Sequence, residues 1–143
     1  MVSIEIVLAR LQALNEYVTE LDVKRSLPLK QILADKDAYY STLHRLQLAS
    51  QAAIDIASHI LAADFSRRAE QYREVILALG SERVLPPEFA ERFAPITGFR
   101  NIIIHEYLTV DPAKVYNVLQ AGLDDFRAFA QYITEYLEKS GAL

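Results

Sequence analysis

The sequence contains no cysteine. That excludes disulfides, thiolate zinc sites and cysteine nucleophiles together. Glycine is scarce, with only Gly80, Gly98, Gly122 and Gly141 in 143 residues. No apolar run approaches the roughly 20 residues that a membrane-spanning helix needs. The N-terminal stretch MVSIEIVLARLQAL lacks a basic region and already carries Glu5, which is not the pattern of a secretory signal. Internal repeats and low-complexity segments are also missing. Positive charge is in deficit: 15 Lys and Arg stand against 19 Asp and Glu, a net charge of -4. This argues against a general nucleic-acid binder, whose affinity depends on Lys and Arg at phosphates. It leaves room for a small basic site or a basic partner. One domain over residues 1–143 is expected, long enough to bury a core, and the absence of cysteine fits the cytoplasm.

What is present is helical rhythm. Apolar residues make up 52% of the chain and recur at i, i+3, i+4 and i+7, while no segment alternates as a half-buried strand would. The expected architecture is all-α, an up-and-down bundle of four main helices plus shorter pieces. A first helix is predicted from Ser3, as N-cap, to Lys24, with Ile4, Val7, Leu8, Leu11, Leu14, Val18 and Leu21 facing inward. After Pro28 comes a short turn or loop. A second long helix is predicted over 37–63, burying Leu43, Leu46, Ser50, Ala53, Ala57, Ile60 and Leu61 beside Tyr39. Ser66 is expected to cap a third helix ending at Gly80, with Tyr72, Val75, Ile76 and Leu79 as its apolar face. Pro87 opens another short helix, and Pro95 with Gly98 should break or bend the chain before FRNIIIHEY. Asp111 and Pro112 mark the start of a last helix to Lys139, in which Gly122 signals a close helix contact or a simple cost in stability.

Chemistry concentrates in FRNIIIHEY, residues 99–107. An Arg fork suits a phosphate, and an imidazole moves protons near neutral pH. Those two capacities are what phosphodiester cleavage requires: charge stabilisation at phosphorus and proton transfer at the attacking and leaving oxygens. On a helical wheel, Asn101 and His105 share a face and Arg100 nearly coincides with Tyr107, but Arg100 and His105 lie about 140° apart. One helix alone therefore does not bring them together. The bland alternative is an apolar stripe of isoleucines whose polar neighbours merely reach solvent.

The segment RNIIIHEY resembles the R-x-x-x-x-H-x-Y motif of HepT-like toxins in the HEPN superfamily. RLQLASQAAIDIASHI, residues 45–60, is similar to that family's second-helix pattern, and residues 98–119 resemble its motif and the run into its last helix. The likeness covers nearly the whole chain. It implies a small all-helical endoribonuclease toxin, working without a metal or other cofactor and paired with a minimal nucleotidyltransferase antitoxin. It also implies a homodimer in which two copies line one cleft, which would answer the wheel geometry. Carried onto this chain, Arg100 and His105 are the implied catalytic pair and Asn101 the polar neighbour that orients them. Asp55, from the family-like second helix, is the implied support. Tyr107 is the implied acceptor of AMP from the antitoxin. A second reading keeps the same residues but no catalysis: a helical module that binds a nucleotide or a nucleotidyltransferase partner.

Other groups read more plainly as structure. Asp55 and His59, four apart on one helix, form a hydrogen-bonded pair or half a metal site, and the pair is favoured because no further ligand lies at metal spacing. Arg67, Arg68 and Arg73 are interspersed with Glu70 and Glu74 and describe a solvated face. Tyr132 and Tyr136, at i, i+4, belong to core or dimer packing.

Overall fold

The computed structural model describes residues 2–143. Helix α1 (Ile4–Arg25) is organised by Val7, Leu11, Leu14, Val18 and Leu21, whose alternating four- and three-residue steps make a narrow seam that is buried throughout. Leu8 was expected inside and is exposed. It sits about 100° from Val7, outside a seam this narrow. The C-terminal end of α1 is fastened across the fold by Arg25. Its guanidinium donates to both carboxylate oxygens of Asp124, at 3.0 and 2.9 Å, and to the Gln120 carbonyl.

Pro28 precedes the short helix α2 (Leu29–Ala34). Asp35 ends α2 and caps α3 (Lys36–Phe65), its carboxylate accepting from the N–H groups of Asp37 and Ala38. Along α3 the expected core residues Leu43, Leu46, Ser50, Ala53, Ala57, Ile60 and Leu61 are all buried. Ala49, Ala52, Ala53 and Ala57 keep its middle slim, so neighbours on several sides can approach closely. The buried Ser50 hydroxyl donates to the Leu46 carbonyl at 2.7 Å, which removes the cost of an unpaired polar group there.

Ser66 corrects the sequence reading. It terminates α3 in the left-handed region, at φ 50°, and does not cap the next helix. Helix α4 begins only at Tyr72 and runs to Ser81, so Gly80 lies within its last turn. Tyr72, expected on the apolar face, is exposed, whereas Val75, Ile76 and Leu79 are buried. Helices α5 (Pro87–Phe93), α6 (Ile96–Glu106) and α7 (Pro112–Lys139) follow. The Asp111 side chain accepts from the Ala113 N–H, as an N-cap ahead of Pro112. Gly98 lies inside the first turn of α6 and does not break the chain, because Pro95 already starts that helix. Tyr132 packs on Phe89 and Tyr136 on Phe65, so both aromatic side chains serve internal packing. A Cβ at Gly122 would meet Val118 of its own helix and no other element, so no close helix contact explains it.

The result is the all-α, up-and-down arrangement. Helix α3 is its centre, touching α1, α2, α4, α6 and α7, while α1 also packs on α7. Ser3 at the start of α1 bonds His59 near the end of α3, so those two helices run antiparallel. Among the described residues, no helix is long and apolar enough to cross a membrane.

Gly80 supplies a direct test of this packing. A Cβ there would stand 2.8 Å from the Ala90 Cβ and 3.4 Å from the Pro87 backbone, where α4 meets α5. Gly80→Ala is therefore expected to destabilise the protein by about 1–3 kcal/mol through overpacking, despite alanine's better helix propensity. Chemical denaturation checks this, and wild-type stability would show that α4 and α5 do not approach so closely.

Candidate functional site

Helix α6 is short, and three features hold it. Pro95 sets its start, Phe99 and Ile103 are buried against the core, and Val110 anchors the turn that follows. That turn is closed by the N–H groups of Thr109 and Val110, both bonding the Glu106 carbonyl, at 2.9 and 2.8 Å. Of the three consecutive isoleucines only Ile103 is buried; Ile102 and Ile104 are half-buried. The polar residues are thus carried on a helix pinned by one side chain from the triplet. Past its end, Tyr107 is 52% exposed and Leu108 74% exposed.

Arg100 is half-buried and held on three sides. Its Nε donates to Oε1 of Gln51 on α3 at 2.9 Å, and its Nη1 donates to Oδ1 of Asn101 at 2.8 Å. Its guanidinium carbon lies 5.1 Å from the centroid of the Tyr72 ring on α4, a cation–π contact. Behind Gln51 the chain of bonds continues. Gln51 Nε2 donates to Asp55 Oδ1 at 2.8 Å, and Asp55 faces Arg10 of α1 at 3.8 Å. Four helices thus contribute to the setting of one guanidinium.

The predicted residues divide clearly. Arg100 and Asn101 are bonded together, and Asp55 reaches Arg100 only through Gln51. His105 is exposed, its imidazole makes no hydrogen bond among the described residues, and no bond joins it to Arg100 within one chain. The Asp55–His59 pair does not form. Asp55 is taken by Gln51 and Arg10, while His59 Nε2 accepts the Ser3 N–H at 3.0 Å, completing the start of α1. Arg67 is paired with Glu82 at 2.8 Å, and Arg68 and Arg73 are exposed, so this cluster is a solvated surface. Among the described residues, no group of three or more His, Asp or Glu side chains is placed to hold a metal ion.

Two contributors escaped the sequence reading. Gln51 lies four residues before Asp55 and four after Gln47, a polar line along one face of α3. That spacing was the available signal. Tyr72 looked like core because it falls at helical spacing with Val75, Ile76 and Leu79. Open depressions flank α6 on both sides. One, of about 690 Å³, includes Tyr72, Arg73, Gly98 and Asn101. The other, of about 410 Å³, includes Tyr40, His44, Gln47 and Tyr107. Both are large enough for parts of a nucleotide chain, and the first opens beside Arg100's partners.

Comparison with known proteins sets this geometry in context. The family described as ribonuclease HepT-like matches residues 8–133. A tRNA nuclease HepT of Aphanizomenon flos-aquae is 33% identical over 132 residues, covering 92% of this chain and 90% of that protein. An mRNA nuclease HepT of Shewanella oneidensis is 28% identical over 93 residues, 65% of this chain and 70% of that one. Among solved structures, a tri-AMPylated Shewanella oneidensis HEPN toxin in complex with an MNT antitoxin superposes with a TM-score of 0.83 at 22% identity, covering 93% of this chain and 99% of that one. That last likeness is one of fold.

The isoleucine anchor is directly testable. Ile103→Ala should cost about 2–5 kcal/mol as a buried large-to-small change. Ile102→Ala and Ile104→Ala, at half-buried positions, should cost distinctly less. Equal losses at all three positions, measured by denaturant unfolding, would contradict this placement of α6.

Proposed function

Because the chain belongs to the HepT-like ribonuclease family, we propose that it is the toxin of a type II toxin–antitoxin pair, an endoribonuclease that cuts RNA in the cytoplasm without a metal. The observation that carries this reading is Arg100, a cation fixed in place with hydrogen-bonding capacity left over. Nε and one Nη1 hydrogen are engaged within the chain, and Nη2 makes no bond among the described residues. That free edge suits a phosphate oxygen.

In the proposed reaction the RNA 2'-hydroxyl attacks the adjacent phosphorus. The bond from phosphorus to the 5'-oxygen breaks, leaving a 2',3'-cyclic phosphate and a 5'-hydroxyl. No water is consumed in this step. Arg100 offsets the extra negative charge at phosphorus, and His105 supplies or removes a proton. Asn101 orients Arg100, and Asp55 supports it from behind. In this reading two copies of the chain line one cleft, which is supported by Arg100 facing α3 and α4 while His105 faces solvent. The homodimer therefore belongs to this reading.

The partner in this reading is a minimal nucleotidyltransferase that silences the toxin by placing AMP on Tyr107. The exposure of that phenol suits such a modification. An added phosphodiester two positions from His105 would compete, by charge and by volume, with the RNA phosphate.

Expression in a bacterial host provides the test. The wild-type chain is expected to arrest growth, and Arg100→Ala or His105→Ala to abolish arrest, with RNA cleavage falling at least about 10²-fold. Both side chains lie outside the core, so melting temperatures should stay close to wild type. Arrest that persists in both variants would overturn their assignment as the catalytic pair.

A further inference from the structure

We propose that Gln51 is the positioning residue for Arg100, and that its being an uncharged amide is what the site requires. The proposal rests on the reading of Arg100 as the phosphate-binding group. It is carried by two bonds whose directions are complementary. Oε1 of Gln51 accepts from Arg100 Nε at 2.9 Å, and Nε2 donates to Asp55 at 2.8 Å. Turning the amide over would set N–H against N–H at Arg100 and oxygen against carboxylate at Asp55. Only one orientation is satisfied, so the amide is locked. Asp55 is itself held from the far side by Arg10, at 3.8 Å.

The chemistry of the three groups around Arg100 points the same way. Gln51, Asn101 and Tyr72 are all neutral. They fix the plane and the face of the guanidinium without cancelling its charge. A carboxylate at position 51 would make a stronger bond to Nε, and would also occupy the cation that a phosphate needs. The nearest carboxylate in this line, Asp55, acts one residue removed: it holds the amide, and the amide holds the arginine. Gln51 thus transmits orientation while keeping the anion at a distance.

Gln51→Met preserves length and apolar bulk but removes both hydrogen bonds. Arg100 keeps its charge in this variant, so RNA is still attracted while the transition-state geometry loosens. The expected result is a fall in kcat of about 10²-fold, the scale of a slight misplacement of a catalytic group, with KM little changed. Gln51→Glu should lower kcat/KM further, because the added carboxylate competes with phosphate. A second readout does not depend on turnover. The Arg100 Nε–H proton, followed by nitrogen-15 NMR and assigned by its loss in Arg100→Ala, should exchange slowly with solvent in the wild type and rapidly in Gln51→Met.

Wild-type kcat in Gln51→Met, or a loss of kcat that merely follows a loss of melting temperature, would overturn the proposal. So would unchanged exchange of the Arg100 proton. If the wild-type protein leaves RNA intact, the nuclease reading fails separately. The exchange measurement still decides whether Gln51 holds Arg100.

Discussion

The contact between α3 and α6, centred on the bond from Arg100 to Gln51, is the constraint on which the site depends. Helix α6 spans only Ile96–Glu106, and a helix so short has little stability of its own. It is held because Phe99 and Ile103 are buried and because the following turn is pinned at Val110. On that footing the polar line of α3, with Gln51 and Asp55, meets the one cation of α6. The fold delivers to Arg100 a set of partners from helices far apart in sequence.

Electrostatics explains why that set matters in an acidic protein. With a net charge of -4 the chain as a whole repels RNA. Attraction must therefore be local. Two unit charges 4 Å apart interact by about 4 kcal/mol at an effective dielectric constant of 20. A carboxylate bonded directly to Arg100 would direct an interaction of that size inward. The three neutral groups around Arg100 leave it available. Arg25 makes the contrast clear: it is bonded bidentately to Asp124, a pairing that holds that carboxyl below its ordinary pKa. Arg25 ties helices together, whereas Arg100 retains a free edge.

Much of the fold was legible in the sequence because period and punctuation agreed. The seam of α1, the core stripe of α3 and the Asp111–Pro112 start of α7 all appear where spacing and capping placed them. The misreadings have local causes. Ser66 has the chemistry of an N-cap, yet the chain needs a left-handed residue there to leave α3, so it acts as a C-cap. Gly80 looked like a stop signal and proved to be a point of close helix contact. Of the candidate site, the motif on α6 was visible because it is contiguous. Gln51 and Tyr72 were not, because they are 49 and 28 residues away and become neighbours of Arg100 only in three dimensions. The expected Asp55–His59 pair failed for a related reason. His59 accepts from Ser3 at the start of α1, while Asp55 is taken by Gln51 one turn back on its own helix and faces Arg10 of α1.

In the proposed reaction RNA is cut by internal attack, aided by this chain's own side chains and no metal. End-group analysis of a single-stranded RNA incubated with the purified protein in excess chelator tests it most directly. Internal attack gives fragments ending in 2',3'-cyclic phosphate and beginning with 5'-hydroxyl, formed at the same rate with and without chelator. RNA left intact by the chelator, or fragments beginning with 5'-phosphate, would contradict it.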